Sequence, residues 1–186
     1  MRRLLIAAAG AALCLAAFGG AQAARGVQDA SARARELADA FSKSKHAVKE
    51  KHGIRVEKFK EVRSEPAPKP DASLYSGEYE AEQGALSLRV YADGRAEATG
   101  TEPASDFTRA REFTLRNARV EGALLTATKV YEDGSSEPFE GVFINRTDRN
   151  SPTDPGTTAF GLGVLFHTPK AVDGYTMDKI FYALKR

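Results

Sequence analysis

Apolar and polar residues alternate one by one through most of the chain after Leu74, and this is the period of a half-buried β-strand. In the first alternating run, Tyr75, Tyr79 and Ala81 fall on one face, while glutamates fall on the other. Seven more runs follow, at 86–90, 95–101, 113–120, 124–131, 139–144, 159–166 and 180–184. The pattern therefore predicts eight strands.

Short turns separate the predicted strands. Asp93-Gly94 and Asp133-Gly134 each lie between two alternating runs, and Asp-Gly is a strong hairpin signal because both residues adopt positive φ readily. Glu121-Gly122 predicts another turn, and a break in the alternation at Asn117 predicts a bulge. An antiparallel meander of this kind protects its edges best by curling into a barrel or half-barrel. We expect such a mainly β fold, with a sandwich as the alternative.

The segment before residue 54 has a helical period instead. Its apolar stripe is formed by Ala30, Ala34, Leu37, Phe41 and Val48. This spacing predicts an amphipathic helix that precedes the sheet and ends near Gly53. Because the stripe is thin and rich in alanine, we expect the helix to need a surface to lie against. The residues from 54 to 62 fit a strand and a helix equally, so their structure stays open.

Three prolines interrupt the chain between the helix and the sheet. Pro66, Pro68 and Pro70 lie within residues 64–73, a composition that favours extended polyproline conformation and excludes a buried strand. We interpret this segment as a linker between a basic helical arm, residues 24–63, and an antiparallel β domain, residues 74–186.

The first 23 residues have the pattern of a secretion signal. Two arginines follow Met1, an apolar run extends from Leu4 to Phe18, and small residues surround Ala23. The apolar run is too short for the roughly 20 residues that span a bilayer. We therefore interpret residues 1–23 as a cleaved signal peptide and expect a periplasmic or secreted protein. Cys14, the single cysteine, lies inside this segment, so the remaining chain has no thiol chemistry.

Charge is distributed unevenly along the chain. Residues 25–63 carry 11 Lys plus Arg against 6 Asp plus Glu, while residues 64–186 carry 14 against 19. A basic arm is thus joined to an acidic body. The arm either is simply solvated, or contacts an acidic polymer or anionic headgroups, or folds back onto the body.

The residues that could support catalysis or hold a metal are scattered. The three histidines have no metal-binding spacing, and no nucleophile elbow or phosphate-binding glycine loop is present. His167 is the only histidine of the β domain, so a hydrolase would need it beside a serine or a carboxylate. Glu78, Glu80 and Glu82 share one strand face and are best interpreted as solvated. We therefore predict no catalytic residue, no metal site and no cofactor, and leave the ligand-binding residues unknown.

Two other features of the β domain carry alternatives. Gly161 and Gly163 share one face of the seventh strand, where they either relieve a bend or make room for a ligand inside the barrel. Residues 147–158 contain two prolines and predict a long loop, and loops of this length are often functional.

In architecture the body resembles the calycin-type barrels, the lipocalin and avidin class of eight-strand meanders. The resemblance covers residues 74–184 and depends on Gly77-Glu78-Tyr79 at the start of the first strand, followed by the two Asp-Gly hairpins. Tyr79 stands where such motifs usually have tryptophan, so no ligand residue is carried over. The resemblance implies binding of a small ligand or a protein rather than an activity.

These observations favour a non-enzymatic binding or interaction module of the cell envelope, with a protein or small-ligand partner and no nucleic acid. Weak contact of residues 25–63 with a membrane surface stays open. The alternatives are an inhibitor or immunity protein that inserts the 147–158 loop into an envelope enzyme, and a barrel that binds a small ligand.

Overall fold

The computed structural model of the protein describes residues 28–51, 54–103, 110–172 and 175–185. The predicted signal peptide, with Cys14, lies outside these residues. A helix, α1, covers 28–40 and a short 3-10 helix covers Ala72–Tyr75. Ten strands make up most of the rest: β1 Lys43–Lys51, β2 Ile54–Pro66, β3 Gly77–Ala81, β4 Gly84–Val90, β5 Arg95–Pro103, β6 Ala110–Glu121, β7 Leu124–Tyr131, β8 Ser136–Arg149, β9 Thr157–Val172 and β10 Tyr175–Leu184.

Strands β3 to β10 form a closed antiparallel barrel. Each strand pairs with the next in chain order, and β10 returns to pair with β3 through Ala183 with Glu80 and Leu184 with Tyr79. The predicted mainly β fold, an eight-strand meander preceded by a helix, is therefore confirmed, and the closed barrel replaces both the half-barrel and the sandwich. Closure leaves no free edge among these eight strands.

The predicted turns and the bulge lie where the alternation placed them. Gly94, Gly122 and Gly134 have positive φ, and each lies in the turn between two consecutive strands. Asn117 has a φ of 53°, and the register of β6 against β7 shifts between Arg116 and Arg119. The bulge lets β6 bend around the barrel.

Alternate side chains of the barrel strands fill its interior. Tyr79, Leu86, Leu125 and Leu162 are at most 1% exposed, so almost none of their surface is accessible to water. The inward residues belong to one continuous hydrophobic core. Each inward apolar side chain of this size contributes roughly 1.5–3 kcal/mol through burial.

One end of the barrel is closed by Tyr75, the last residue of the 3-10 helix before β3. Its ring stacks on Phe143 with centroids 3.9 Å apart, and its hydroxyl lies 2.8 Å from the Gly122 carbonyl. The Lys69 N–H donates to the same hydroxyl at 2.7 Å, and the Tyr79 hydroxyl donates to the Tyr75 carbonyl. The tyrosine therefore seals this end and fastens the preceding segment.

Helix α1 packs on the outside of the barrel. Arg33 donates to Glu140 of β8 at 2.9 Å, and a Cβ placed on Gly163 would lie 2.8 Å from the Phe41 ring. Leu37 is 2% exposed, so the stripe of the helix is buried, as its composition required. The space left by Gly163 is therefore occupied on the outside of the barrel by Phe41, the residue that follows the helix. At Gly161 the corresponding space is taken by Phe181 and by the Tyr182 carbonyl.

The helix is shorter than the sequence predicted. Residues 43–51 form β1, which pairs with β2 from Lys43 opposite Val62 to Lys51 opposite Ile54. The prediction that the helix continues to Gly53 is therefore wrong. The last helical turn tightens, with the Phe41 N–H bonded to the Ala38 carbonyl. Among the described residues, no helix is long and apolar enough to cross a membrane.

The physical reason for this correction is that the stripe had a gap after Phe41 and only Val48 continued it. The hairpin offers the same residues a full set of cross-strand partners, including His46 beside Phe59 at 6.1 Å. Pairing with a second strand thus overrides a weak local helical preference.

The proline-rich segment is partly incorporated into the sheet. β2 extends to Pro66, which is in register with Ile144 of β8, so the first three residues of the predicted linker form a strand that pairs on one side only. The Ala67 N–H continues the contact by donating to the Phe143 carbonyl at 2.9 Å. The assignment of 64–73 as a boundary between two domains stays a prediction.

The loop predicted over 147–158 is shorter than expected. β8 continues to Arg149 and β9 begins at Thr157, so only residues 150–156 connect them. Pairing of Thr147 with Thr158, including contact between their hydroxyls at 2.8 Å, accounts for the difference.

Candidate functional site

A cluster of charged side chains fills the end of the barrel opposite Tyr75. Lys129 donates to Glu102 at 2.6 Å and to Glu137 at 3.0 Å, and the Tyr131 hydroxyl donates to Glu102 at 2.7 Å. Tyr131 also contacts Glu137, and Lys170 forms an ion pair with Glu102. The Glu102 side chain is fully buried and that of Lys129 is 3% exposed. We call these five residues the interior ion network.

The barrel register brings these residues together. Lys129 and Tyr131 continue the inward face of β7, whose other inward positions are Leu125 and Ala127, and Glu102 ends the inward face of β5. The network was not predicted from the sequence. A lysine at an inward position of an alternating apolar run is the signal that could have located Lys129. Its partner 27 residues earlier depends on the tertiary register and has no local signal.

Aromatic rings surround the two ammonium groups. The Lys129 Nζ lies 5.1 Å from the Phe113 centroid and 5.5 Å from that of Phe139, and the Lys170 Nζ lies 5.1 Å from that of Phe166. Outside this layer the Arg111 guanidinium stacks on Tyr131 at 3.4 Å and pairs with Asp133 at 2.8 Å. Such rings stabilise cations and exclude water at the same time.

Burial and hydrogen bonding shift the pKa values in this network. Burial, followed by hydrogen bonds to Glu137 and Glu102, raises the pKa of the Tyr131 hydroxyl far above its usual value. For Glu137, burial acts in the opposite direction, but the hydrogen bonds from Tyr131 and Lys129 outweigh it and lower its pKa. Tyr131 therefore stays a neutral donor and Glu137 stays ionised at neutral pH.

The arrangement of charges fits a structural function better than a chemical one. Two carboxylates are balanced by two ammonium groups, and every one of them already has a partner within the network. A catalytic lysine or carboxylate needs access to a substrate, whereas Glu102 has none. We therefore interpret the network as a polar closure of this end of the barrel.

A groove on the outer wall of the barrel is a more accessible candidate. It has a volume of about 490 Å³ and crosses β3 to β7. Ser87, Thr99 and Thr114 pair directly across β4, β5 and β6, which forms a row of hydroxyls along its middle. Glu78, Glu112 and Glu132 line it together with one cation, Arg116, so the groove has a net negative charge. We call it the outer-wall groove.

Hydrogen bonds within the chain stabilise the connection between β8 and β9. Asp154 accepts hydrogen bonds from the N–H groups of Asn150, at 3.2 Å, and Gly156, at 2.9 Å. Arg149 donates to the Asp154 carbonyl at 2.8 Å and to Glu61 of β2 at 3.0 Å. Pro152 is exposed at the tip. The conformation of this short loop is therefore supported by contacts within the chain.

Residues considered for chemistry in the sequence lie apart from one another. His167 is exposed on the outer face of β9, and no hydrogen bond joins it to a serine or carboxylate within the described ranges. Glu78, Glu80 and Glu82 are exposed; Glu78 accepts from Ser87, and Glu80 pairs with Lys185. Among the described residues, no group of three or more His, Cys, Asp or Glu is placed to hold a metal ion.

The fold and these sites define a closed eight-strand antiparallel barrel with a filled interior, one external helix and an additional hairpin. No family model matches the chain, and neither a curated protein nor a solved structure matches it significantly.

Proposed function

We propose that the protein is an exported, non-enzymatic interaction module that recognises a protein partner with the outside of its barrel. The observation that carries this proposal is the filled interior. Tyr75 occupies one end, the interior ion network occupies the other, and the residues between them are almost inaccessible. A small molecule of pocket size, a few hundred Å³, would have to displace several of these side chains to enter.

The architecture supports a similar interpretation. We infer that the barrel is of calycin type, because eight strands follow one another in chain order and Gly77-Glu78-Tyr79 begins the first of them. Tyr79 occupies an inward position and is 1% exposed, so it takes the space of the tryptophan usual in such motifs. This likeness concerns architecture alone and assigns no ligand.

The outer-wall groove is the recognition surface that we propose. Its hydroxyl row and its glutamates are suited to a partner segment that carries lysine or arginine side chains. Thr99 lies in the middle of the row and is exposed. A bulky cation at this position should block a basic partner by both its size and its charge.

Affinity capture from an extract of the cell envelope tests this proposal. We expect the parent chain to retain a partner that the Thr99→Arg variant loses by more than about tenfold, which corresponds to about 1.4 kcal/mol. The matched control is Thr176→Arg, which makes the same change at an exposed position of β10. A partner retained equally by both variants would remove the groove from the proposal, and no captured partner at all would contradict the proposed function.

A second candidate function is inhibition of an envelope enzyme by the loop of residues 150–156. The observation that favours it is the hydrogen bonding around Asp154, since a loop fixed before binding loses less entropy in the complex. The expected result is that expression of a neighbouring gene alone stops growth, that this chain restores growth, and that Asp154→Ala weakens the rescue. Normal growth when the neighbouring gene is expressed alone would contradict this second candidate function.

A further inference from the structure

The hairpin of β1 and β2 continues beyond the end of β8. Glu61 is the first residue of β2 in register with β8, where it pairs with Arg149. Residues 54–60 of β2 pair only with β1. At about 3.3 Å per residue, this part of the hairpin is about 23 Å long. We call residues 43–51 and 54–60 the ribbon.

The register separates the charges of the ribbon onto two faces. Residues directly opposite each other in an antiparallel pair lie on the same side of the sheet, and successive residues alternate. One face, which we call the lysine face, contains all six lysines of the ribbon: Lys43, Lys45, Lys49, Lys51, Lys58 and Lys60. Both glutamates, Glu50 and Glu57, belong to the opposite face, together with Arg55.

The lysine side chains at the base of this face are free to bind. Lys43, Lys45, Lys58 and Lys60 are all exposed. None of these four forms an ion pair with a side chain in the described part of the chain. The face therefore carries uncompensated positive charge.

Protection of an exposed edge is the simplest explanation of lysines in a hairpin, because charged edge residues prevent pairing with other chains. That explanation requires charge at the edges but does not require one sign on one face. Glutamates at 50 and 57 would protect the edges equally well from either face. The placement of every lysine on a single face therefore needs a second explanation.

The far end of the lysine face is apolar as well as basic. Ile54 is in register with Lys51 and Val56 is in register with Lys49, so two aliphatic residues share the face with the lysines. Basic and aliphatic residues on one surface suit the interface of an anionic bilayer, where phosphates attract the lysines and the acyl boundary accepts the aliphatics. A soluble polyanion would offer nothing to the aliphatic positions.

We propose that the lysine face of the ribbon binds the surface of a membrane that contains anionic lipids. The rest of the chain supports this orientation, since residues 64–186 carry an excess of five negative charges and are repelled by the same surface. The ribbon would lie on the headgroups while the barrel and its outer-wall groove face away from them. This inference does not depend on the proposed partner of the groove.

Sedimentation with lipid vesicles tests the proposal. The full chain is purified in its exported form and mixed with two kinds of vesicle. One contains phosphatidylcholine alone, and the other contains phosphatidylcholine and phosphatidylglycerol in a ratio of about three to one. We expect binding to the anionic vesicles that weakens strongly between about 0.05 M and 0.5 M salt. The triple variant Lys45→Gln, Lys58→Gln, Lys60→Gln should bind about 100-fold more weakly, since each lysine near such a surface contributes roughly a factor of five.

Two matched variants serve as controls. Arg89→Gln, Arg95→Gln, Arg119→Gln removes three exposed cations from the barrel wall and should bind as the parent does. Glu50→Gln, Glu57→Gln alters the opposite face of the same ribbon and should not weaken binding. The circular dichroism spectrum of each variant establishes that the sheet is intact.

Three results would overturn the proposal. The first is absence of binding to anionic vesicles at low salt, and the second is equal loss of binding in the lysine and the arginine variants. The third is binding to DNA or to an acidic polypeptide in solution without binding to vesicles. The capture experiment on Thr99 is unaffected by any of these results, so failure of one proposal is distinguishable from failure of the other.

Discussion

Glu102 is the residue on which the interior ion network depends. It accepts from Lys129 and Tyr131 and pairs with Lys170, while its own side chain has no contact with solvent. Removing its charge leaves the buried ammonium group of Lys129 and the partly buried one of Lys170 with the single carboxylate of Glu137. Breaking a buried ion pair in this way is far more costly than losing an exposed one.

We predict that Glu102→Gln destabilises the protein by about 3–5 kcal/mol, measured as the free energy of unfolding in urea. The control is Glu80→Gln, which breaks the exposed ion pair with Lys185 and should leave the unfolding midpoint unchanged. Similar midpoints for the two variants would show that the network does not hold the end of the barrel.

Four tyrosines predict the behaviour of the protein in alkali. Burial is the largest cause that raises the pKa values of Tyr75, Tyr79, Tyr131 and Tyr182 above the ordinary value of 10.0. The folded state therefore retains protons that an unfolded chain has already lost. Their contribution to stability is complete below pH 10 and is lost as the pH rises above it.

We expect these four hydroxyls to ionise together with unfolding rather than before it. Tyrosinate absorbance and circular dichroism, recorded along one alkaline titration, should change at the same pH for this group. Gradual ionisation of all the tyrosines close to pH 10, with the sheet still intact, would contradict the burial of Tyr75 and its neighbours.

The sequence predicted inward positions better than it predicted their partners. Lys129 follows Leu125 and Ala127 on one face, so its inward position is visible in the alternation. Glu102 lies at the same depth in the barrel because of strand registers that include the bulge after Arg116. A local pattern carries no information about such distant pairing.

At the scale of elements, the packing of the end of α1 against β9 explains why the short helix is stable and why position 163 is a glycine. Phe41 lies against Gly163, where a Cβ would be only 2.8 Å from its ring, and Lys179 contacts both the ring and the carbonyl of Ala40. The helix is too short and too rich in alanine to be stable alone, so this surface holds it in place.

We predict that Gly163→Ala destabilises the protein by about 1–3 kcal/mol through crowding of the Phe41 ring. In a Phe41→Ala background the same change should cost much less, because the ring that it crowds is absent. A double-mutant cycle on the free energy of unfolding measures this coupling. Equal costs in both backgrounds would mean that the Phe41 ring does not pack on Gly163.

The elements that the sequence predicted well are those with strong local signals. Turns such as Asp93-Gly94 and Asp133-Gly134 fix a hairpin by themselves, and the flanking alternation fixes the strands. β1 was mistaken for helix because its stripe, with Val48 alone after Phe41, satisfied a weak helical period. Its strand conformation depends on a partner, β2, whose own pattern was ambiguous.

At the scale of the whole molecule, closure makes the inside and the outside of the barrel different in kind. The inside is occupied by the protein's own rings, aliphatics and paired charges, while the outside carries the groove, the loop of residues 150–156 and the lysine face. Recognition is accordingly assigned to external surfaces in each proposal made above.

Closure could not be predicted from the alternation alone. The seam joins Tyr79 to Leu184, more than a hundred residues apart, and a sandwich or an open half-barrel would have the same pattern of strands. Which of these forms the chain adopts depends on the geometry of the registers and bulges, summed over eight strands. No single residue determines that sum.

Proton–proton contacts across the seam test the closed barrel most directly. In a nuclear Overhauser spectrum of the protein, we expect backbone cross-peaks between Glu80 and Ala183 and between Tyr79 and Leu184, together with slow exchange of the Lys185 amide, which donates to the Glu78 carbonyl. Fast exchange and an absence of cross-peaks between β3 and β10, with the other seven strand pairings intact, would mean an open sheet and would contradict the account.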